Sequence, residues 1–311
     1  MNNDNPNQDS RKLLRTLKEI IDRARRRGKK RLAVAAANET EVLRAVDEAR
    51  QMGLIDGVFL GRGQEILASC KVARIDPNNF AIIDIETPAL AAKECCRMVR
   101  HGEADFMMKG SIRTGDFMKA ILDKQEGLNC DSLLSHVAIF EIPGFDRLLF
   151  VTDAAINIAP ILSEKIQIIQ NAVNLACNLG YDCPKVACLA AVEVINPEKM
   201  PDTVESAALS IMSLRGQIRN CIIDGPLALD VAINRKAAQT KGLKSPVAGY
   251  ADLLMAPEIV SANVLYKSLT CLANAKAAAI VTGAIAPVVL TSRADDHETK
   301  LLSIAMGVAG I

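Results

Sequence analysis

Aromatic side chains are scarce in this 311-residue chain: they make up 3% of it, and there is no tryptophan. Single-stranded nucleic acids and carbohydrates are commonly bound on aromatic platforms, so the scarcity argues against both kinds of site. The formal net charge is only +1 at pH 7, so no overall field attracts nucleic acid or an acidic partner. The one basic run, Arg25 to Arg31, is more typical of a solvated helix end than of a nucleic-acid site.

Signals for metal, disulfides and membranes are also lacking. The nine cysteines are scattered without a CxxC pair, and there are only three histidines. This pattern favours buried thiols in a reducing compartment over a metal site or a disulfide framework. No apolar run approaches the about 20 residues of a membrane span, and the Asn-rich stretch 1–9 is unlike a signal peptide. We therefore expect a cytoplasmic protein that binds neither membranes nor nucleic acid.

Alternating helix and strand patterns fill most of the chain, and half of its residues are apolar. Such alternation predicts βαβ units, a mostly parallel sheet and helices on both faces. Within it, Thr87 and Pro88 are typical of a helix N-cap and first turn. The pattern changes near residue 135, where two strand candidates separated by Pro143 and Gly144 predict an antiparallel hairpin. Because the length exceeds that of a usual single domain, two domains sharing a cleft are expected.

A stretch near the end of the chain is typical of an anion site. The apolar run Val288 to Thr291 predicts a strand, and it is followed by Ser292, Arg293, several acids and a helical pattern. The unpaired N–H groups and the dipole at a helix N-terminus favour anions. The alternative is that Asp295 or Asp296 merely caps the last helix, with Arg293 as a surface partner.

A second turn of this kind spans 109–116, between a predicted strand and a predicted helix. Lys109 and Arg113 supply positive charge, Ser111 and Thr114 can donate hydrogen bonds to oxyanions, and Gly110 lets the backbone approach a ligand. The order of residues is not that of a P-loop. An ordinary capped turn remains the alternative.

Three further polar stretches follow predicted strands. They are Asp224-Gly225-Pro226 after a strand predicted at 221–223, the pair Asp153 and Asn157, and the stretch 257–263 with Asn263. A plain turn explains each of them equally well. Together they place polar groups at strand carboxyl ends, where ligands of α/β proteins commonly bind. The stretch Gly61-Arg62-Gly63 lacks the third glycine of a dinucleotide fingerprint.

The same stretches carry a resemblance to a known family, the phosphate acetyl/butyryltransferases, and chiefly to its butyryltransferase branch. The similar stretches, in the same order as in the family, are Lys109–Asp116, Leu134–Val137, Val151–Asn157, Asp224–Leu227, Pro257–Glu258 with Asn263 and Tyr266–Lys267, and Val289–Asp295. The similarity runs from about residue 30 to the C-terminus.

The resemblance implies reversible transfer of a short-chain acyl group, butanoyl, propanoyl or acetyl, between coenzyme A and inorganic phosphate. It implies two three-layer α/β domains with mostly parallel sheets around an interdomain cleft. With the final helix returning to the first domain, the expected domains are 1–134 plus 292–311, and 135–291. The resemblance also implies a homodimer or higher homo-oligomer, and no metal or prosthetic group, coenzyme A being a substrate.

The chemistry assigns expected roles to the site residues. A carboxylate takes the proton of the thiol, Arg293 with Arg113 or Lys109 holds the phosphoryl oxygens, and Ser292 hydrogen-bonds the oxyanion or the thiol. The residues expected to bind phosphate and coenzyme A are Lys109, Gly110, Ser111, Arg113, Thr114, Asp153, Asn157, Asp224, Gly225, Pro226 and Asn263.

The position of the general base departs from the family: in its acetyltransferase branch the proposed base is an Asp seven residues after the Ser. Here that position is Thr299. Glu298 is the first candidate in its place and Asp295 the second, since a spacing of three puts both on one helix face. Three other functions stay open: an acyl-carrier-protein:phosphate acyltransferase, a non-catalytic anion- or nucleotide-binding module, and a pyridine-nucleotide dehydrogenase of related fold.

Overall fold

The structure, a computed structural model, describes residues 13–128, 132–292 and 295–311. In these ranges eleven strands form a single sheet, and eleven α-helices pack on it. The strands are β1 Lys30–Ala35, β2 Ile55–Gly61, β3 Ala81–Asp84, β4 Phe106–Lys109, β5 Ser135–Glu141, β6 Leu149–Thr152, β7 Lys185–Leu189, β8 Ile222–Leu227, β9 Leu253–Met255, β10 Lys276–Thr282 and β11 Val288–Val289. The helices are α1 Leu17–Arg27, α2 Thr40–Gln51, α3 Gly63–Ala73, α4 Pro88–Arg100, α5 Thr114–Ile121, α6 Leu162–Asn178, α7 Pro201–Leu214, α8 Leu229–Ile233, α9 Arg235–Thr240, α10 Ile259–Cys271 and α11 His297–Gly310.

The sheet has the order β3-β2-β1-β4-β11-β10-β5-β6-β9-β7-β8. Neighbouring strands are parallel except for the pairs β10–β11, β10–β5 and β5–β6. The predicted α/β class with a mostly parallel sheet is therefore confirmed. The sheet continues across the predicted boundary at residue 135, and the division into 1–134 plus 292–311 and 135–291 stays a prediction.

Strand direction reverses between the two halves of the sheet. The parallel set β3, β2, β1, β4 and β11 runs opposite to the parallel set β6, β9, β7 and β8, because β10 and β5 between them are antiparallel to their neighbours. The carboxyl ends of the strands in one set consequently point in the opposite direction to those in the other set. A ligand that touches loops from both sets has to cross the face of β5 and β10.

Several local signals in the sequence are confirmed. The Thr87 hydroxyl caps α4 by accepting a hydrogen bond from the Leu90 amide at 3.3 Å, with Pro88 in the first turn. The predicted hairpin is the antiparallel pair β5–β6. The carboxylate of Asp296 caps α11 by accepting a hydrogen bond from the Thr299 amide at 2.8 Å. The alternative that an acidic residue of this stretch caps the last helix is therefore confirmed for Asp296.

The end predicted for the strand at 221–223 is wrong: β8 continues to Leu227, so Asp224, Gly225 and Pro226 lie within the strand and not after it. This strand is at the edge of the sheet, where proline is tolerated because the missing N–H removes no ladder hydrogen bond. Gly225 is needed for packing, because a Cβ there would lie 2.8 Å from the Cβ of Cys188. The short helix α9 was not predicted.

The core differs between the two faces of the sheet. On one face, a continuous apolar layer joins the sheet to α1, α2, α3, α6, α7 and α11. On the other face the apolar residues form two separate clusters, one with α4 and α5 and one with α8, α9 and α10. The boundary between these clusters crosses β10, since Val281 belongs to the first cluster and Ala277 and Ala279 belong to the second. None of the described helices has the length and apolarity needed to cross a bilayer.

Candidate functional site

A cavity of about 380 Å³ lies at the boundary between the two clusters. Its walls come from α5, from β5 and β10, from the loop after β6, from α10 and from the segment after β11. The lining residues are Thr114, His136, Ala154, Ala155, Ile259, Asn263, Tyr266, Lys267, Ala279, Leu290, Thr291, Ser292 and Asp295. The cavity thus collects loops from both oppositely directed halves of the sheet.

The two turns predicted as anion sites meet at this cavity. Strands β4 and β11 are parallel neighbours, with Val288 beside Met107 and Val289 beside Met108. The segments that follow these two strands therefore start side by side. Thr114 from the first turn and Ser292 from the second line the same cavity. Arg293, the principal predicted phosphate ligand, lies outside the described residues.

A buried lysine holds the segment after β11. The Lys300 Nζ, on α11, donates to the carbonyl oxygens of Ser292, at 3.4 Å, and of Asp295. The same nitrogen lies 3.4 Å from Glu39 Oε1, and the Lys300 side chain is only 1% exposed. Within the segment, the Ser292 amide donates to Asp295 Oδ2 at 2.7 Å. Cavity wall and helix α11 are therefore tied together by one cation.

The two candidate bases occupy different environments. Asp295 lines the cavity. Glu298 is not among the lining residues, is about half exposed, and pairs through Oε1 with Lys276 Nζ at 2.6 Å, a hydrogen bond that raises the pKa of Lys276. The geometry favours Asp295, the second choice from the sequence, although the identity of the base stays a prediction.

The turn at 109–116 contributes less to the cavity than its composition indicates. Thr114 lines it, whereas Lys109, Gly110, Ser111 and Arg113 do not. Lys109 is buried at the end of β4, and its Nζ donates to the Gly110 carbonyl at 3.2 Å. A Cβ on Gly110 would lie 2.3 Å from the backbone oxygen of Ala36. Glycine at this position therefore allows the two backbone segments to pack closely.

The loop after β6, which forms one wall of the cavity, is held by hydrogen bonds involving Asp153, Asn157 and Asn263. The buried Asp153 carboxylate accepts the amides of Ala155 and Ile156 at 2.9 and 3.0 Å. The Asn157 side-chain amide donates to Asp153 and to the Leu134 carbonyl at 2.7 and 2.8 Å. Asn263, which itself lines the cavity, donates to the Ala154 carbonyl at 3.1 Å.

The structure does not bring Asp224, Gly225 and Pro226 to this cavity. They lie on β8, which three strands separate from β5. Their role in binding coenzyme A or phosphate stays a prediction.

His136, Tyr266 and Lys267 are among the cavity residues that the sequence analysis did not assign to the site. Burial lowers the pKa of His136, against the opposing effect of the Asp153 and Asp295 carboxylates, so a neutral imidazole is favoured. Its Nδ1 is buried and has no hydrogen-bond partner in the described part of the chain. Burial, and secondarily Asp295, raises the pKa of Tyr266, which keeps the phenol protonated.

Lys300 was missed as well, although the sequence contains a signal for it. Lys300, Ile304 and Val308 have the i, i+4, i+8 spacing of one helix face, and the two apolar members are fully buried. A lysine on such a face must find a partner inside the protein. As for metals, no cluster of three or more His, Cys, Asp or Glu suited to an ion occurs among the described residues.

Comparison with known proteins identifies the family of the chain. The sequence profile of the family described as "Phosphate acetyl/butaryl transferase" matches residues 90–308. The phosphate butyryltransferase of Clostridium acetobutylicum is 45% identical over 300 residues, which cover 96% of this chain and 99% of that protein. The phosphate acetyltransferase of Thermotoga maritima is 46% identical over 290 residues, covering 93% of this chain and 98% of that protein. The crystal structure of a branched-chain phosphotransacylase from Enterococcus faecalis V583 aligns with a TM-score of 0.80 at 31% identity, covering 90% of this chain and 98% of that one. The chain therefore belongs to the phosphate acetyl/butaryl transferase family.

Proposed function

We propose that this protein is a phosphate acyltransferase that moves a short-chain acyl group reversibly between coenzyme A and inorganic phosphate. The observation that carries the proposal is the single cavity lined by Thr114 and Ser292, in a chain of this family. Relatives named for butyryl and for acetyl transfer are about equally similar to it. We propose a butanoyl or propanoyl preference on the motifs shared with the butyryltransferase branch, with acetyl also accepted.

In the direction that forms acyl-CoA, the thiol sulfur attacks the carbonyl carbon of the acyl phosphate. The thiol proton passes to a carboxylate, for which Asp295 is the better placed candidate. The Ser292 hydroxyl donates to the developing oxyanion. The carbon–oxygen bond to phosphate then breaks, and we assign Arg293, together with Arg113 or Lys109, to stabilising the departing phosphate. Ser292 forms no covalent intermediate in this scheme.

Location and assembly belong to the same proposal. We propose a cytoplasmic homodimer or higher homo-oligomer that requires neither metal nor prosthetic group. The support for the location is the set of free thiols: the eight cysteines in the described ranges are all unpaired, as in a reducing compartment. Light scattering on the purified protein measures the assembly, and a monomer at micromolar concentration would contradict it.

A thiol-release assay with phosphate and a panel from acetyl-CoA to octanoyl-CoA tests the activity. Ser292→Ala and Arg293→Ala should each lower kcat by about 10²-fold or more, since each removes stabilisation of transition-state charge. The matched controls are Ser163→Ala on α6 and Arg44→Ala, whose guanidinium forms a surface pair with Glu41; both should retain the wild-type rate.

Two outcomes would contradict the proposal. Rates within a few-fold of wild type for both Ser292→Ala and Arg293→Ala would refute the site. No thiol release with any acyl-CoA, but turnover with an acyl carrier protein, would reassign the enzyme to the carrier-dependent reaction.

A further inference from the structure

We propose that Tyr266 and His136 form the inner wall of the cavity and set the longest acyl chain that the enzyme accepts. This inference rests on the acyltransferase function proposed above. It concerns which substrates the site admits, and it assigns no step of the chemistry to either side chain.

Burial divides the cavity into an inner end and a rim. At the inner end Tyr266 is 8% exposed, His136 5% and Ala279 3%. The side chains of Thr114, Ser292, Asn263 and Lys267 are exposed and form the rim. The rim is polar and carries the cation of Lys267, whereas the inner end is built from alanines, a tyrosine and a histidine.

The chemistry of the substrates decides which part lies at which end. Phosphate and coenzyme A are charged, and coenzyme A is too large for about 380 Å³, so both must lie toward the rim and solvent. The reacting carbonyl has to sit beside Ser292 and Asp295. The remaining part is the acyl chain, which is apolar and gains most from the buried end. The chain therefore points away from the rim toward Ala279 and Tyr266.

The inner wall is held rigidly in place. The Tyr266 ring packs edge-on against Phe140, with centroids 5.1 Å apart and planes at 75°. Phe140 is itself fully buried, so Tyr266 cannot retreat from a longer chain. The His136 ring lies 6.1 Å from the Tyr266 ring, and a neutral imidazole can face an apolar chain without the cost of desolvating a charge. The free volume comes from small neighbours, Ala279 on β10 and Ala154.

Two variants with opposite effects on the volume test the proposal. Tyr266→Leu removes the ring and lengthens the cavity, while Ala279→Val fills it. Valine is favoured in a strand, and the Ala279 backbone amide, which donates to Ser303 Oγ at 3.0 Å, is kept. Each is assayed for kcat/KM with the acetyl- to octanoyl-CoA panel.

Tyr266→Leu should raise the hexanoyl-to-butanoyl ratio of kcat/KM by about 10-fold or more, the discrimination typical of one or two methylenes in an apolar pocket. Ala279→Val should lower the butanoyl-to-acetyl ratio by about 10-fold. The control is Tyr250→Leu, since the Tyr250 ring contacts Lys185 and Arg235 and is not part of the cavity. Its chain-length profile should equal that of the wild type.

The outcomes separate this inference from the function on which it rests. An active wild type whose chain-length profile is unchanged in both cavity variants, or is scaled equally at every length, overturns the inference alone. A wild type inactive with every acyl-CoA overturns the proposed function. If Tyr266→Leu does not fold, the Ala279→Val ratio decides by itself.

Discussion

At the scale of single residues, the segment after β11 is organised by charge. The Lys300 ammonium contacts the carbonyls of Ser292 and Asp295 and pairs with Glu39, and the Asp295 carboxylate accepts the Ser292 amide. Only the Lys300 side chain is fully buried among these groups, so removal of its partners would leave an unsatisfied buried ammonium, which is costly inside a protein. Lys300 and Asp295 thereby fix the backbone at Ser292, the proposed catalytic serine.

Asp295→Asn and Glu298→Gln should separate the two candidate bases. We expect Asp295→Asn to lower kcat by about 10²-fold, because an amide cannot accept the thiol proton. Glu298→Gln should stay within a few-fold of wild type, since Glu298 is outside the cavity lining and pairs with Lys276. Steady-state kcat measurements decide, and the reverse order would restore Glu298 as the base.

Lys300→Met should destabilise the protein by about 2 to 4 kcal/mol, because it leaves Glu39 and two carbonyls without their buried donor. The free energy of unfolding from urea titration measures this. Lys18→Met, at an exposed position of α1, should change it by no more than about 0.5 kcal/mol. Equal effects of the two substitutions would contradict the role given to Lys300.

At the scale of elements, the site depends on which strand ends meet. The strand-to-helix pattern around 109–116 and 288–302 was readable because apolar runs, polar turns and helical spacing differ so clearly. The sequence did not reveal that β8 is an edge strand that includes Gly225 and Pro226. Glycine and proline are common in turns, and both are also tolerated in edge strands. The pairing of β4 with β11, residues far apart in the chain, follows from no local signal.

Gly110→Ala and Gly115→Ala compare two glycines of the same turn. Ala at 110 would place a Cβ 2.3 Å from the Ala36 oxygen, so we expect a loss of about 1 to 3 kcal/mol in unfolding free energy. Gly115, in the first turn of α5, has no atom within 4 Å of such a Cβ, and Ala there should stabilise by up to about 1 kcal/mol. Urea unfolding of both variants tests the pair, and equal stability would show that Gly110 is not sterically required.

At the scale of the whole molecule, the strands in the two halves of the sheet run in opposite directions, and β10 and β5 lie between the halves. His136 lies on β5 and is surrounded by Asp153, Asp295 and Lys267. The pKa of His136 is therefore influenced by charges from loops and helices of both halves.

The stability of the molecule should fall as pH drops below about 6.5, the ordinary pKa of histidine. Burial lowers the pKa of His136 in the folded state, so the unfolded chain binds the proton first, and stability that is fully present above 6.5 is lost toward the folded-state pKa. Urea unfolding across this range measures the slope. His136→Asn should flatten the dependence of the unfolding free energy on pH. His101→Asn, at an exposed position, should leave that dependence as in the wild type. An unchanged slope in His136→Asn would show that His136 is not its cause.

The sequence by itself determined the α/β class, the hairpin predicted at 136–151, the helix caps and the two polar turns, because each rests on contacts between residues close in the chain. Only the tertiary structure decided that Thr114 and Ser292 share a cavity, that Asp295 lies in its wall while Glu298 does not, and that His136 and Tyr266 close its inner end. The reason is physical. Strand order and direction set which side chains meet, and these are fixed by packing over the whole sheet.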